Sequence, residues 1–217
     1  ALESASSAMD LAWMNSDLDY EEKNILREFV FETCRVNRDL DYQYEILAVE
    51  EPFAYELYSD DLIRIIMQGK IDLLVNDRNY KMMPIDHKTY SRDFPVHRKT
   101  NQFMNYAYAT GSKFLLVNRI GMQTSIAPEK KHKRVILSYD DIYLEQWKQN
   151  VVTWCKYYFE CEAHNSFPLN DTSCDKYNRL CEFYSVCDTS GEENKVRRLE
   201  VNFKAVPTWD VGKGLEK

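Results

Sequence analysis

The stretch GKIDLLVNDRNYKMMPIDHK, residues 69–88, decides the fold of this chain. Residues 70–75 and 80–88 are rich in apolar side chains, and residues 76–79, NDRN, are of the types that form turns. This pattern predicts two strands joined by a tight turn. The other predicted elements extend a sheet that begins with this hairpin.

Charged side chains mark one face of the predicted hairpin. Asp72 lies seven residues before Asn79 and Asp86 seven after it, so we expect the two carboxylates opposite each other, about 5.5 Å apart. Lys88 follows Asp86 by two residues and is expected on the same face, because side chains alternate along a strand. Glu50 ends a neighbouring predicted strand and is expected to supply a third carboxylate.

Three carboxylates around one point favour a hard divalent cation, Mg²⁺ or Mn²⁺, because oxygen ligands suit such ions and the ion removes the repulsion. A bound cation lowers the pKa of a coordinated water and offsets charge on a scissile phosphate, while Lys88 orients the water. These residues therefore indicate phosphodiester hydrolysis. The same spacing also fits ordinary surface acids with a salt bridge to Lys88, and both interpretations stay open here.

The rest of the chain predicts a mixed sheet flanked by helices, an α/β or α+β fold. A buried strand is expected at residues 44–49, stopped by Pro52, and further strands are expected at residues 62–67, 114–117 and 134–138. Helices are expected at residues 20–37, 97–110 and from Asp141 through Tyr158. Four positions of the last helix share a face and are expected in the core: Trp147, Val151, Trp154 and Tyr158.

Composition excludes several classes of protein. Of the 217 residues, 44% are hydrophobic and 29% are charged, which excludes a disordered or collagen-like chain. Six glycines and six prolines are few for an all-β protein with frequent turns. No run of 18 apolar residues and no basic start followed by an apolar run is present, so we expect neither a membrane span nor a secretory signal.

The net charge of −7 hides a basic middle third. Residues 76–134 carry 12 basic and 4 acidic side chains, whereas residues 1–75 carry 6 and 17. Basic clusters occur at residues 97–99, HRK, and 130–134, KKHKR. Such a region attracts phosphates locally although the whole molecule is acidic. For residues 130–134 alone, a solvated basic loop is the simpler interpretation.

Four short motifs occur in the order typical of one nuclease family: VEEPF at 49–53, GKID at 69–72, IDHKT at 85–89 and QFMNY at 102–106. With them, the chain resembles the PD-(D/E)XK nuclease superfamily in its RecB-like branch, which includes recombination exonucleases and CRISPR-adaptation nucleases. The stretch from residue 167 to Cys187 looks like the phage-type members.

The resemblance implies a restriction-endonuclease-like core and a Mg²⁺- or Mn²⁺-dependent DNA nuclease, an exonuclease of phage or recombination type. It implies that Glu50, Asp72, Asp86 and the main-chain carbonyl of His87 hold the metal. Lys88 is then the catalytic lysine. Gln102 and Tyr106, which lie four residues apart on one helical face, position DNA.

Three late cysteines, Cys174, Cys181 and Cys187, follow a C-x6-C-x5-C spacing. In the nucleases that the chain resembles, such a trio joins one upstream cysteine to hold a [4Fe–4S] cluster. Cys34, or a cysteine outside this sequence, is the candidate for the fourth ligand. A Zn²⁺ site and three unligated thiols are the alternatives.

The expected organisation is a single nuclease domain over residues 1–190, with the cysteine-containing segment at 167–190 and a mobile tail at 191–217. The resemblance places the protein in the cytoplasm of a bacterial or phage-infected cell, with DNA as partner and no membrane. Two alternatives stand beside the nuclease: a noncatalytic DNA-binding or assembly module of the same fold, and a nuclease subunit that acts with a helicase or recombinase.

Overall fold

The structure is a computed structural model that describes residues 19–41, 44–122, 128–168, 172, 174–176 and 179–207. The chain divides into two units, one up to Val152 and one from Thr153. The first unit contains a five-stranded sheet. The second contains a two-stranded ribbon and two short helices besides the end of a long helix.

The five strands of the sheet follow one another in chain order across it. They are β1 (Glu45–Ser59), β2 (Arg64–Asp77), β3 (Lys81–Tyr90), β4 (Phe114–Gly121) and β5 (His132–Ser138). Strands β3 and β4 are parallel, and the other neighbouring pairs are antiparallel. The expectation of a mixed sheet flanked by helices is confirmed.

Within its described residues, the first unit contains the helices α1 (Tyr20–Asp41), α2 (Asn101–Thr110), α3 (Pro128–Lys131) and α4 (Asp141–Ala163), the last of which continues into the second unit. At the start of α1, Asp19 and Glu22 accept hydrogen bonds from each other's backbone N–H groups, which satisfies two otherwise orphaned donors. Helix α2 ends before Gly111 (φ 66°), as expected, and connects the parallel strands β3 and β4.

The centre of the sheet is a cluster of fully buried side chains from three strands: Val75, Met83, Ile85 and Leu116. Burying each contributes about 1.5–3 kcal/mol relative to exposure. Because these residues lie in β2, β3 and β4, the cluster fixes the register of the three strands that carry the charged motifs.

The first strand differs from its prediction. Residues 44–49 were expected as a buried strand that ends before Pro52, whereas β1 continues through Pro52 to Ser59, and Val49 is 64% exposed. Strand β1 lies at the edge of the sheet, where a proline is tolerated because a backbone N–H can face solvent without a partner.

The second strand is also longer than predicted. Residues 62–67 and 70–75 were expected as two strands, but they belong to the single strand β2. The chain reverses earlier, at Asp60, whose Oδ1 accepts hydrogen bonds from the N–H groups of Leu62 and Ile63, both 2.9 Å. Gly69 therefore lies inside a strand rather than between two.

The aromatic stripe of α4 is only partly in the core. Trp147 is buried, but Trp154 is 68% exposed and Tyr158 is 53% exposed, so the prediction for these two residues was wrong. Helical spacing determines which side chains share a face, but not whether another element covers that face along its whole length.

The second unit contains β6 (Asp175–Lys176), β7 (Arg179–Leu180), α5 (Tyr184–Cys187) and α6 (Glu192–Asn202). The segment expected as a tail thus includes an eleven-residue helix, and Glu192 and Glu193 in its first turn favour it through the helix dipole. In the described ranges, no helix combines the length and the apolar character that crossing a bilayer requires.

Candidate active site

The β2–β3 hairpin brings two acidic side chains close together. Leu73 pairs with Ile85, and continuing this register by one residue puts Asp72 opposite Asp86, as the sequence predicted. Asp72 Oδ2 accepts a hydrogen bond of 2.9 Å from the backbone N–H of His87. This bond holds the Asp72 carboxylate against β3.

Asp86 and Lys88 lie on the same face, also as predicted. The Lys88 Nζ is 3.0 Å from both Asp86 carboxylate oxygens and donates a hydrogen bond to Oδ1. The Asp86 side chain is fully buried, and its Oδ2 has no hydrogen-bond partner among the described residues. A buried carboxylate oxygen that forms an ion pair but accepts no hydrogen bond has unused acceptor capacity, and such an atom calls for an explanation.

The surroundings of the Asp86 carboxyl group disfavour its ionised form. Burial raises the pKa of this carboxyl above its ordinary value, and the nearby charge of Asp72 adds to the rise. The hydrogen bond and charge of Lys88 act in the opposite direction but do not cancel the effect. A divalent cation beside the two carboxylates, in addition to Lys88, would favour the ionised form of both.

Helix α2 joins this face through Gln102 and Tyr106. Lys88 Nζ donates to Gln102 Oε1 (2.9 Å), and Gln102 Nε2 donates to the Tyr106 hydroxyl oxygen (2.9 Å). The Tyr106 hydroxyl in turn donates to the Lys70 carbonyl (2.7 Å). The resulting chain of hydrogen bonds runs from β3 through α2 to β2 and fixes the Lys88 ammonium between Asp86 and Gln102.

Glu50 lies opposite Asp72 in the β1–β2 register but forms an ion pair with Lys70, 3.1 Å. Its backbone has a φ of 53°, a conformation that residues other than glycine rarely adopt. Burial raises the pKa of Tyr106, and the negative charges of Asp72, Asp86 and Glu50 raise it further. All three carboxylates therefore act on one hydroxyl group.

The donor set fits a hard divalent cation in its chemistry. It offers carboxylate oxygens, among them the buried Asp86 Oδ2, which pairs with Lys88 but accepts no hydrogen bond from the described residues. The three acids are not yet arranged as ligands: the described residues contain no group of three His, Cys, Asp or Glu side chains that converge on one point. Lys70 and Lys88 compensate Glu50 and Asp86 instead.

Sequence reasoning missed the contact between Phe53 and Gly69. The two residues are cross-strand partners, and the Phe53 ring packs edge-on against Tyr106 with 6.0 Å between ring centroids. A Cβ atom on Gly69 would come within 2.6 Å of Phe53 Cζ. The signal was a glycine inside an extended pattern, which often marks a close approach of another group.

We expect Gly69→Ala to lower the free energy of unfolding by about 1–3 kcal/mol, because Phe53 must leave its place against Tyr106. Thermal melting measures this change. In a Phe53→Leu background, which lacks the ring atom that clashes, the same substitution should have almost no effect. An equal loss of stability in both backgrounds would contradict the contact as its cause.

The cysteine segment brings two of the predicted ligands together. The β6–β7 ribbon puts Cys174 next to Cys181, whose N–H donates to the Cys174 carbonyl at 2.8 Å. Cys187 lies at the end of α5, and among the described residues these three cysteines are not joined in disulfides. The side chain of Cys34 lies outside the described residues, and no three thiols within them converge on a metal position.

The basic cluster at residues 130–134 differs from a simple solvated loop. Lys131 is buried and forms an ion pair with Glu32 of α1, 3.2 Å. Residues 132–134 belong to β5, and Lys133 donates to Asp93 at 2.6 Å. These cations therefore hold other parts of the first unit in place.

Comparison with known proteins gives the family. No curated protein matches the chain. Among solved structures, the crystal structure of SSO0001 is similar to it with 13% sequence identity and a TM-score of 0.40, covering 70% of this chain and 68% of that one. The family model of the PD-(D/E)XK nuclease superfamily matches residues 1–188, and the mixed sheet flanked by helices is consistent with a restriction-endonuclease-like fold. The chain belongs to the PD-(D/E)XK nuclease superfamily.

Proposed function

We propose that this protein is a Mg²⁺- or Mn²⁺-dependent deoxyribonuclease that hydrolyses phosphodiester bonds, acting as an exonuclease in phage-type or recombination and repair processing of DNA. Membership of the superfamily supports a nuclease. The observation that carries the proposal is the Lys88 ammonium, held between the buried carboxylate of Asp86 and the side chain of Gln102. An ammonium fixed beside an acidic pair suits the stabilisation of charge on a phosphate.

Asp72, Asp86 and Glu50 would hold the metal ion together with the main-chain carbonyl of His87. When bound, the ion supplies a coordinated water of lowered pKa and offsets negative charge on the phosphate. The buried Asp86 Oδ2 pairs with Lys88 but accepts no hydrogen bond in the described part of the chain, which supports its role as a ligand. For Glu50 to join, its carboxylate has to leave the ion pair with Lys70.

Lys88 would orient the attacking water and stabilise the charge that develops on the phosphate. Its position does not depend on substrate, because Asp86 and Gln102 already accept its hydrogen bonds. Such preorganisation avoids a reorganisation cost during the reaction. Tyr106 holds Gln102 in place, and the two would also position the DNA strand.

Cleavage of labelled DNA tests the proposal. Purified protein is incubated with end-labelled single- and double-stranded DNA and with covalently closed circles, in Mn²⁺, in Mg²⁺ or in chelator. An exonuclease degrades the linear substrates with metal and leaves the circles intact. Cleavage of the circles would indicate an endonuclease, and DNA binding without cleavage under every condition would favour the noncatalytic module. If activity appears only when a helicase or recombinase is added, the subunit alternative is favoured.

We further propose that Cys174, Cys181 and Cys187 contribute to a [4Fe–4S] cluster, for which the neighbouring positions of Cys174 and Cys181 give support. The cluster requires a fourth ligand, for which Cys34 is the candidate in this sequence. Protein purified anaerobically should be brown and contain about four iron atoms per chain. Stoichiometric zinc would instead identify the Zn²⁺ site, and protein without metal would reject both.

A further inference from the structure

The loop at residues 91–100 begins and ends beside the proposed catalytic groups. It leaves β3 at Tyr90, two residues after Lys88, and enters α2 at Asn101, immediately before Gln102. The hydrogen bond of 2.9 Å between Lys88 and Gln102 closes the two ends of this segment. Nothing in the proposed mechanism uses the loop itself.

Two cations of this loop, Arg92 and Lys99, are separated from Lys88 and Gln102 by only a few residues, so they lie close to these side chains. Arg92 lies four residues after Lys88 and Lys99 lies three residues before Gln102. A fully extended chain spans at most about 3.6 Å per residue, so the Cα atoms of Arg92 and Lys99 lie within about 14 and 11 Å of Lys88 and Gln102. These upper limits correspond to roughly three or four nucleotides of rise along the axis of a DNA duplex.

The loop is positively charged, and its single acid is already neutralised. Asp93 accepts hydrogen bonds from Lys133 and from Arg119, and these partners hold the pKa of its carboxyl below the ordinary value. Arg92 and Lys99 are exposed, and within the described ranges neither has a carboxylate at ion-pair distance. Two cations therefore point to solvent without compensation from the described residues.

Several contacts fix the backbone that carries these cations. Arg119 donates to the Phe94 carbonyl, and its guanidinium carbon lies 4.9 and 4.6 Å from the ring centroids of Tyr90 and Phe94. The Tyr139 hydroxyl donates to the Arg98 carbonyl at 3.0 Å. A loop that is fixed before binding loses less conformational entropy when it meets a ligand.

We propose that Arg92 and Lys99 bind phosphates of the DNA backbone that flank the scissile bond, independently of base sequence. This inference rests on the proposed nuclease function and names the surface that takes the substrate. The chain as a whole carries a charge of −7 and repels DNA, so a local cationic surface beside Lys88 is needed to hold a polyanion there. Backbone phosphates are the groups of DNA that such charges attract without reading sequence.

DNA binding, measured in chelator so that no cleavage occurs, tests the role of Arg92 and Lys99. Fluorescence anisotropy with a labelled duplex in chelator gives the affinity of wild type and of Arg92→Gln/Lys99→Gln over a range of salt concentrations. Two lost phosphate contacts should reduce the slope of log affinity against log salt by about 1.8 and weaken binding at 0.1 M salt roughly tenfold or more. The loss should be the same for duplexes of unrelated sequence.

The matched control is Arg78→Gln/Lys81→Gln, which removes two exposed cations at the opposite end of β3. Binding by this control should stay close to wild type, and Arg92→Lys/Lys99→Arg, which keeps both charges, should bind like wild type. Equal losses in the loop variant and the control, or no loss in the loop variant, would overturn the proposal. If wild type cleaves DNA while the loop variant binds unchanged, only this inference fails. Wild type that neither binds nor cleaves DNA overturns the proposed function too.

Discussion

Lys88→Ala is expected to reduce the rate of DNA cleavage by at least 100-fold to 1,000-fold, the effect typical of removing one preorganised stabiliser of transition-state charge. The ammonium is bonded to Asp86 and Gln102 in the absence of substrate, so the substitution removes a cation that is already in position. DNA binding should fall little, because one charge of many is lost. Single-turnover cleavage with excess enzyme and an anisotropy titration separate the two effects.

Two further variants sharpen this test. Lys88→Arg keeps a positive charge beside Asp86, but a planar guanidinium cannot reproduce the geometry of an ammonium that contacts Asp86 and Gln102 together, so cleavage should remain low. Lys113→Ala removes an exposed ammonium that pairs with Asp141 and should cleave like wild type. Digestion by Lys88→Ala at the wild-type rate would remove Lys88 from the mechanism.

Local regularities of the chain were sufficient to predict the central part of the site. Equal spacing on both sides of Asn79 gave the register of Asp72 and Asp86, and strand alternation gave the common face of Asp86 and Lys88. Helical spacing likewise put Gln102 one turn from Tyr106. Each of these relations needs only the geometry of one hairpin or one helix.

The parts that the sequence did not predict depend on which elements become neighbours. The ion pair of Glu50 with Lys70 requires the full length of β1. From the sequence, this strand was expected to stop at Pro52, because proline is usually unfavourable inside a strand. The packing of the Phe53 ring against Gly69 depends on the register of β1 and β2. The exposure of Trp154 depends on which elements pack against α4, and the periodicity of apolar residues does not predict this.

Asp86→Asn is expected to maintain or raise the stability of the metal-free protein while it weakens metal binding. In the metal-free protein, the buried Asp86 carboxylate lies close to the charge of Asp72, and its Oδ2 accepts no hydrogen bond in the described part of the chain. Its pKa is raised, so between the ordinary pKa and the raised one the folded protein binds more protons than the unfolded protein, and stability falls as pH rises. Asparagine has nearly the same shape, carries no charge and keeps an oxygen for Lys88. The variant should therefore be at least as stable as wild type in chelator at neutral pH.

Thermal melting in chelator and in Mn²⁺ measures both effects, and each kcal/mol gained raises the melting temperature by about 2–4 °C for a chain of this size. Mn²⁺ should stabilise wild type, because a ligand that binds only the folded state shifts the equilibrium towards it, whereas Asp86→Asn should show little shift and no DNA cleavage. Asp61→Asn makes the same chemical change at an exposed position in the turn before β2, and should respond to Mn²⁺ like wild type. An undiminished Mn²⁺ shift in Asp86→Asn would exclude Asp86 as a ligand. A marked loss of stability in chelator would mean instead that the pairing of this charge with Lys88 outweighs the cost of burying it.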